Sequence, residues 1–541
     1  PPALRGIGQT VGVSTAARDL VDAYERALDP GERRQRGVHH TPSALARALV
    51  DLGMTALGRL PQTIVDPSCG GGAFLLAAAD ALVDLGVPPM DVLDHRLIGA
   101  EFDPDAVTVV QRAFERWAVD HRVDPRRVRV PVLVGDALAR TPEAWRAALP
   151  NGADLVVGNP PFLSPRAADV APSAAERAER IERFGDLGGM VDTAALFLLL
   201  STELLSEDGV AVVIQPRSTL SARGAVAIRG RVASRAPMVA LWSDDAKWFD
   251  ANVAVCAPIL RRGSRPAGVR VLRGVPGTTV ATVDHPQDDS WGPTLAPAYG
   301  IPLVRLGGLG ALRDLSAATA GFRDEYYAVR DAVVDDPLGC GAPVVSVGMI
   351  DVADLTWGRH PVRLGGRQVR HPRVQVDAIE PPRVARWVTA RQVPKVLVAT
   401  QTKIVEAVVD ASGTFVPLTP VISIEPFSTA DLWRVAAVVL APPVAASALA
   451  TGLGSGRSPS VLRWSARQAL GTPLPIDLSA WDAGAALIES VHGAQGPERS
   501  ALLGRFARVM NEAYGVAPSD ALEQWWLERA DGPRSSGLTA T

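Results

Sequence analysis

Lysine is almost missing from this chain: only Lys247, Lys395 and Lys403 occur in 541 residues, so nearly all the positive charge is arginine. A GC-rich genome produces the same bias. Cysteine is as scarce. Cys69, Cys256 and Cys340 are widely spaced and make neither a disulfide framework nor a zinc site, which fits a reducing compartment. No uninterrupted apolar run approaches the roughly 18 residues a membrane span requires; 196–200 and 435–441 are too short. The opening Pro-Pro-Ala-Leu-Arg-Gly lacks a charged-then-apolar signal pattern. These absences point to a cytoplasmic chain with no membrane partner and no metal. A strong net charge is lacking too; the balance of −3 argues against a uniformly basic nucleic-acid binder. There is no internal repeat at a fixed period, and no low-complexity tract beyond an alanine bias.

What is present is enough for two or three domains: 541 residues, 47% of them hydrophobic. The most informative stretch is 153–162, Ala-Asp-Leu-Val-Val-Gly-Asn-Pro-Pro-Phe. Leu155-Val156-Val157 suits a short buried strand that Gly158 ends. Asn159-Pro160-Pro161-Phe162 follows as a stiff loop, because each proline fixes φ and lacks an N–H. The Asn159 side-chain oxygen and the Pro160 carbonyl can then both serve as acceptors for a planar amino group. Phe162 offers a flat face on which a ring could stack. The plainer alternative is a Pro-rich turn with Phe162 as a core plug, and the neighbouring segments weigh against it.

Upstream, 13–29 has helical periodicity. His39-His40-Thr41-Pro42 then feeds a helix marked by Leu45, Ala48, Leu49 and Leu52, with Thr41 expected to cap it and Pro42 to occupy its first position. Adjacent histidines cannot easily face one ion, so loop packing is the expectation for His39 and His40. In 63–76 a strand ends at Asp66 and runs through Ser68, Cys69 and Gly70-Gly71-Gly72 into an Ala/Leu helix, the opening of a βαβ unit. The turn has neither the Lys-Ser/Thr ending of a phosphate loop nor a Gly-x-Gly-x-x-Gly pattern, which counts against triphosphate and dinucleotide ligands. A second strand, 97–103, contains Glu101-Phe102-Asp103, and an acid at that strand end takes ribose hydroxyls in this architecture. A third, 129–134, ends at Gly135-Asp136-Ala137, where a carboxylate can accept from an exocyclic amino group. Four successive strands thus place polar residues at their carboxyl ends. A helix over 190–205 carries Phe197, 209–216 reads as a fifth strand, and 239–243 with 253–260 reads as an edge hairpin. Phe249 stands in the loop between those last two.

Residues 263–300 are rich in Gly, Pro and Asp and read as a linker. Short β runs at 395–400, 404–409 and 419–424 suggest a small sheet, with helical patterns at 430–448 and 479–530. Between 357 and 403 stand ten Lys or Arg, among them Arg359, Arg363, Arg367, Arg370, Arg373, Lys395 and Lys403, opposed by Asp377 and Glu380 alone, a local balance of +8. Such a concentration is the footprint of a phosphate-binding surface, or else an arginine-rich solvated region.

The series Gly-x-His-His-Thr-Pro, Asp-Pro-Ser-Cys-Gly-Gly-Gly-x-Phe, Glu-x-Asp-Pro, Gly-Asp-Ala and Asn-Pro-Pro-Phe resembles the S-adenosylmethionine-dependent DNA adenine-N6 methyltransferases. The branch it resembles places cofactor motifs first and a target-recognition domain last. The resemblance spans roughly 31–262 and weakens beyond, at 394–398 and 472–476. It departs from the family's usual aromatic pair at His39-His40 and from Gly-Ser-Gly at Gly70-Gly71-Gly72. It implies an α/β fold: a doubly wound, mostly parallel seven-stranded sheet over 1–262, a linker over 263–300, an α+β target-recognition domain over 301–478 and a helical region over 479–541. It further implies that Thr41 and Asp66 hold the methionine end of S-adenosylmethionine, Glu101 the ribose and Asp136 the adenine amino group, that Phe102 and Phe197 flank the adenine ring, and that Ser68, Gly70, Ala137 and Asn159 also belong to the cofactor site. The target adenine would leave the duplex at a cost of a few kcal/mol. Stacking on Phe162 and Phe249 would offset this by about 1–3 kcal/mol per ring. Asn159 and Pro160, with Pro161 and Phe162, would present its amino group to the methyl donor, and the arginine-rich stretch would hold double-stranded DNA.

Two alternatives share the loop. A protein-glutamine methyltransferase uses a similar Asn-Pro-Pro-aromatic corner, since a carboxamide offers the same planar amino group. A modification subunit of a multi-chain restriction system is the other, and a separate restriction endonuclease is a partner either DNA reading leaves open.

Overall fold

In the computed structural model, which describes residues 15–27, 41–163, 173–188, 191–249, 253–286, 289–321, 323–454, 462, 464–517 and 520–531, the first of two units, Pro1–Ala298, is organised by one ten-stranded sheet. Its elements run α1 (Thr15–Ala27), α2 (Ser43–Leu57), β1 (Ile64–Asp66), α3 (Ala73–Asp84), α4 (Pro89–His95), β2 (Leu97–Glu101), α5 (Pro104–Asp120) and β3 (Val132–Val134). There follow α6 (Pro142–Ala148), β4 (Ala153–Gly158), α7 (Ala174–Phe184), α8 (Thr193–Glu203), β5 (Leu205–Val213), β6 (Gln215–Pro216) and α9 (Val226–Arg235). The unit closes with β7 (Met238–Ser243), β8 (Val255–Arg261), β9 (Val269–Arg273) and β10 (Thr278–Val283). His39 and His40 lie outside the described residues.

The sheet order is β10-β9-β7-β8-β5-β4-β1-β2-β3, with β6 on β8. From β5 to β3 every pairing is parallel, while β8 runs antiparallel to both β5 and β7. The chain winds outward through β1, β2 and β3, then returns to lay β4 on the other side of β1. That reversal opens a crevice at the strands' carboxyl ends, where such sheets take ligands.

Packing explains the winding. All three residues of β1 and all six of β4 are buried, as expected of strands covered on both faces. On α2, Leu45 and Leu49 are fully buried, each worth about 1.5–3 kcal/mol relative to exposure. Its Gly53 brings the helix onto β4: a Cβ there would stand 2.6 Å from the Leu155 side chain. Behind α3 a buried network fixes α1 and α5, in which Asp80 accepts from Arg18 at 2.6 Å and from the Trp117 indole at 2.8 Å.

Four expectations need correction here. The sheet has ten strands, not seven. The segment expected to be a linker supplies β9 and β10, and these, not β7 and β8, form the edge hairpin. Its Gly and Pro residues mark turns within the fold: Gly274 and Gly277 have φ of 72° and 104° in the β9–β10 turn, while Val269, Val271 and Leu272 are buried. Finally, Pro42 itself is the N-cap of α2, with no side-chain cap bond, and the Thr41 hydroxyl is used elsewhere.

The second unit, Tyr299–Thr541, holds a four-stranded antiparallel sheet in the order Ser316–Ala320, Ile422–Pro426, Lys395–Ala399 and Glu406–Asp410. A second four-stranded sheet joins Val333–Asp335, Pro372–Val374, Ala342–Val345 and Val416–Pro417. The helical stretch expected as a separate region from 479 onward belongs to the same unit. The Trp481 indole on helix Leu478–Val491 donates to the Arg434 carbonyl of helix Leu432–Leu440 at 3.0 Å. Among the described residues no single helix is long and apolar enough to cross a membrane.

Candidate active site

A cavity of about 310 Å³ opens at the carboxyl ends of β1, β2, β3 and β4. Thr41, Asp66, Ser68, Gly70, Glu101, Phe102, Asp136, Ala137, Asn159, Pro161 and Phe197 all line it, so residues from six separate sequence segments converge there.

Its floor is the β1 turn. Asp66 is 1% exposed and accepts from the Ser68 N–H at 3.0 Å. Burial, reinforced by the Glu101 charge, pushes the Asp66 carboxyl up to about 8, although the Ser68 bond lowers it. The Ser68 hydroxyl is buried and has no hydrogen-bond partner among the described residues. Gly158, ending β4, leaves Asp66 its space: a Cβ there would stand 2.6 Å from Asp66 Oδ1. Gly72 precedes α3 with φ of 97°, a conformation that glycine adopts without strain. Beneath the turn, burial raises the Cys69 thiol, which makes it a packing residue.

Glu101 fixes one wall. Its Oε2 accepts from the Gly70 N–H at 2.8 Å and its Oε1 from the Asp103 N–H at 2.9 Å, tying the glycine turn to the end of β2. Burial raises this carboxyl as well, against the pull of those N–H bonds. Asp136 Oδ1 accepts from the Leu138 N–H at 2.8 Å, which holds the carboxylate in place at the end of β3. Phe102 is 72% exposed at the rim, and Phe197 lies buried on α8.

Asn159 stands at the end of β4, where the Gly158 carbonyl accepts from the Ile214 N–H at 2.9 Å. Its Nδ2 donates to the Thr41 hydroxyl at 3.0 Å, which sets the orientation of the amide. At the far end of the loop, the Leu163 carbonyl accepts from the Thr193 N–H at 3.3 Å, joining the corner to the start of α8. Asp192, which caps α8, is pushed up to about 6 by burial.

Pro160, Phe162 and Phe249 do not line the cavity. Phe249 is 5% exposed within the core, edge-on to Phe162 with centroids 6.5 Å apart. The expectation that it presents a face for stacking is therefore corrected: it backs the Phe162 ring. The sequence pattern does not single out Tyr24, Arg180 and Thr193, which also line the cavity, and it names Asp103 without giving it a role of its own. Asp103 was within reach, since it closes Glu-x-Asp-Pro; Tyr24, on α1, places its hydroxyl 3.4 Å from Asp103 Oδ2. Nothing in the local pattern marks Arg180.

In the second unit the seven cations expected to bind DNA separate. Arg363 and Arg367 flank the Gly365-Gly366 turn of the hairpin Val362–Leu364/Arg367–Val369, followed by Arg370; all three are exposed. Lys403 is exposed too, while Arg359 pairs with Asp354 at 2.6 Å. Arg373 donates to the carbonyls of Asp336 and Gly341 and covers the Trp357 ring at 5.0 Å. Lys395 is wholly buried, 2.5 Å from Asp410 on the neighbouring strand, and burial lowers its pKa. As a DNA contact Lys395 is excluded, because both its charge and its donors are spent inside the sheet.

With this geometry fixed, comparison with known proteins gives four results. Residues 16–266 match the family model described as N-6 DNA Methylase. Over 207 residues the chain is 28% identical to the Type I restriction enzyme EcoEI methylase subunit of Escherichia coli, covering 38% of this chain; the chain spans 37% of that relative's length. Among solved structures, the Type IIL restriction-modification enzyme MmeI in complex with DNA is similar in fold, with a TM-score of 0.59 over 95% of this chain and 81% of that one at 12% identity. The DrdV–DNA complex is similar at a TM-score of 0.51, covering 90% of this chain and 60% of that one at 14% identity.

Proposed function

We propose, from the premise that residues 16–266 belong to the N-6 DNA methylase family, that the chain transfers a methyl group from S-adenosylmethionine to the N6 amino group of an adenine flipped out of duplex DNA. The observation that carries this is the meeting of Asn159 with Asp66, Glu101 and Asp136 around one cavity.

The residues present fit the cofactor. The partnerless Ser68 hydroxyl, the space Gly158 leaves and the crowd of carboxylates all suit a ligand that is polar and cationic at one end. Asp66 would take its ammonium, Glu101 its ribose hydroxyls and Asp136 the adenine amino group, with Phe102 and Phe197 beside the ring. When bound, S-adenosylmethionine supplies an electrophilic methyl on a sulfonium.

The rest is done by the corner at 159–162. An adenine amino nitrogen is a weak nucleophile because its lone pair is delocalised into the ring. Acceptance of both N–H bonds by Asn159 Oδ1 and the Pro160 carbonyl favours a pyramidal nitrogen with its lone pair turned towards the methyl. Thr41 orients the amide, so this geometry is set before substrate arrives. Asn159 carries no basic lone pair, and the proton shed after transfer passes to water. Phe162, backed by Phe249, offers the flipped base a stacking face. The exposed Arg363, Arg367 and Arg370 supply phosphate contacts. This reading places the enzyme in the cytoplasm with the chromosome.

The test is transfer of labelled methyl groups to duplex DNA by the purified chain. Asn159→Ala should bind S-adenosylmethionine and DNA yet lose turnover by on the order of 100-fold or more. Near-full turnover in that variant would refute the assignment. A second reading is favoured by the type I methylase subunit among the relatives: the chain modifies DNA only with a partner subunit. It predicts an inactive single chain that still binds cofactor.

A further inference from the structure

Asp66, Glu101, Asp103 and Asp136 line the cavity, and among the described residues that line it the one cation is Arg180. Arg180 is half-buried on α7 and makes no hydrogen bond or ion pair among the described residues; Glu176, a turn earlier, feels its charge only through space. The helix that carries it is fixed at both ends. Ser173 and Glu176 form a reciprocal cap at its start. A turn beyond Arg180, Arg183 donates from Nε to the Arg140 carbonyl at 3.2 Å and pairs through Nη2 with Glu203 at 2.8 Å. Residue 140 follows closely on the Asp136 turn, so α7 delivers Arg180 to the end of the cavity formed by Asp136, Ala137 and Leu138.

We propose that Arg180 lays its guanidinium against the adenine ring of the cofactor, sharing the ring's outer face with the largely exposed Phe102 while the buried Phe197 keeps the other, and so helps to hold it. This rests on the reading of the cavity as an S-adenosylmethionine site. A guanidinium is flat, weakly hydrated and always charged, and it stacks on aromatic faces. At the methionine end such a cation would be drawn to the carboxylate but repelled by the ammonium and the sulfonium; at the adenine end it meets an uncharged ring whose amino group Asp136 takes. The arrangement closes the pocket over the purine with a side chain that needs no partner until the ring arrives.

Calorimetric titration of the whole chain tests it with two ligands, S-adenosylhomocysteine and 5′-methylthioadenosine, which lacks the amino-acid end. Arg180→Met keeps the bulk of the side chain and removes the planar charge. It should weaken both ligands by the same factor, roughly 3- to 30-fold. Arg180→Lys should recover less than half of that loss on a logarithmic scale, and Arg180→Gln serves if the Met variant misfolds. Weakening of S-adenosylhomocysteine alone would assign Arg180 to the carboxylate and overturn the proposal. Unchanged affinity for both, with weaker binding of duplex DNA, would make it a phosphate contact and overturn it as well. A wild-type chain that binds neither ligand would instead sink the cofactor reading on which the proposal stands.

Discussion

The Asn159 amide donates to the Thr41 hydroxyl at 3.0 Å, across 118 positions of sequence. The bond joins the residue before the Pro42 cap of α2 to the corner after β4, and both residues line the cavity. The N-cap of α2 is Pro42, which has no side-chain acceptor, so the Thr41 hydroxyl one residue earlier is left to orient the amide.

Thr41→Val keeps the shape and deletes the acceptor. Since a hydrogen bond of this kind is worth about 0.5–1.5 kcal/mol, turnover should fall roughly 2- to 12-fold through a mispositioned amide. Affinity for S-adenosylhomocysteine should change less than turnover does. Kinetics and calorimetry on one preparation would separate the two; equal losses in both would place Thr41 on the cofactor alone.

Asp66 gives a pH dependence with a definite sign. Its carboxyl titrates at about 8 in the folded chain against an ordinary value of 3.8, so the folded state holds a proton that the unfolded state has released over that interval. The contribution to stability is fully present below the unfolded value and is lost as pH rises through 8, at about 1.4 kcal/mol per pH unit inside the window. Asp66→Asn removes the titration. In the absence of ligand, the variant should gain in melting temperature over the wild type steadily from pH 5 to pH 8. An ammonium-bearing ligand should reverse the order by demanding the ionised form. Calorimetry of S-adenosylhomocysteine at pH 7 in buffers of different ionisation enthalpy should show up to about one proton released by the wild type and none by the variant. Parallel melting curves across the pH range would refute the burial argument.

The cavity is legible in sequence because each of its strands stops at a polar residue that an apolar run cannot explain: Asp66, Glu101, Asp136 and Asn159. Those interruptions are local, and the pattern of a doubly wound sheet brings strand ends together whatever the loops do. The rest depends on partners far along the chain. The segment 263–300 has the composition of a linker because its turns hold the glycines, while its two strands are only five and six residues long. Phe249 stands among polar neighbours in sequence, which suggests a free face; the core that encloses it comes from other elements. Arg180 lies on a helix whose own periodicity says only that it is amphipathic. A charge count from 357 to 403 likewise omits Asp354, Glu325, Glu425 and Asp410, all outside the interval and all paired with cations inside it.

Lys395 and the hairpin arginines are alike in sequence, yet the fold puts them at opposite extremes, and the contrast can be measured. Replacing Lys395 with Met leaves Asp410 buried without its cation, though the Ser412 hydroxyl and the N–H groups of Gly413 and Phe415 still donate to it. Breaking such a pair costs about 3–5 kcal/mol, whereas Lys395→Met combined with Asp410→Leu should recover much of the loss. Arg363→Gln, Arg367→Gln and Arg370→Gln together should leave the melting temperature nearly unchanged, since none forms an ion pair among the described residues. Their effect should appear in DNA binding: a weaker complex, with the slope of log affinity against log salt reduced by roughly 3, about 0.9 for each phosphate no longer neutralised. Melting curves and salt-dependent binding isotherms on the two sets distinguish a structural cation from one that meets a phosphate. An unchanged salt slope in the triple variant would remove this hairpin from the DNA surface and leave Lys403 as the exposed cation to test next.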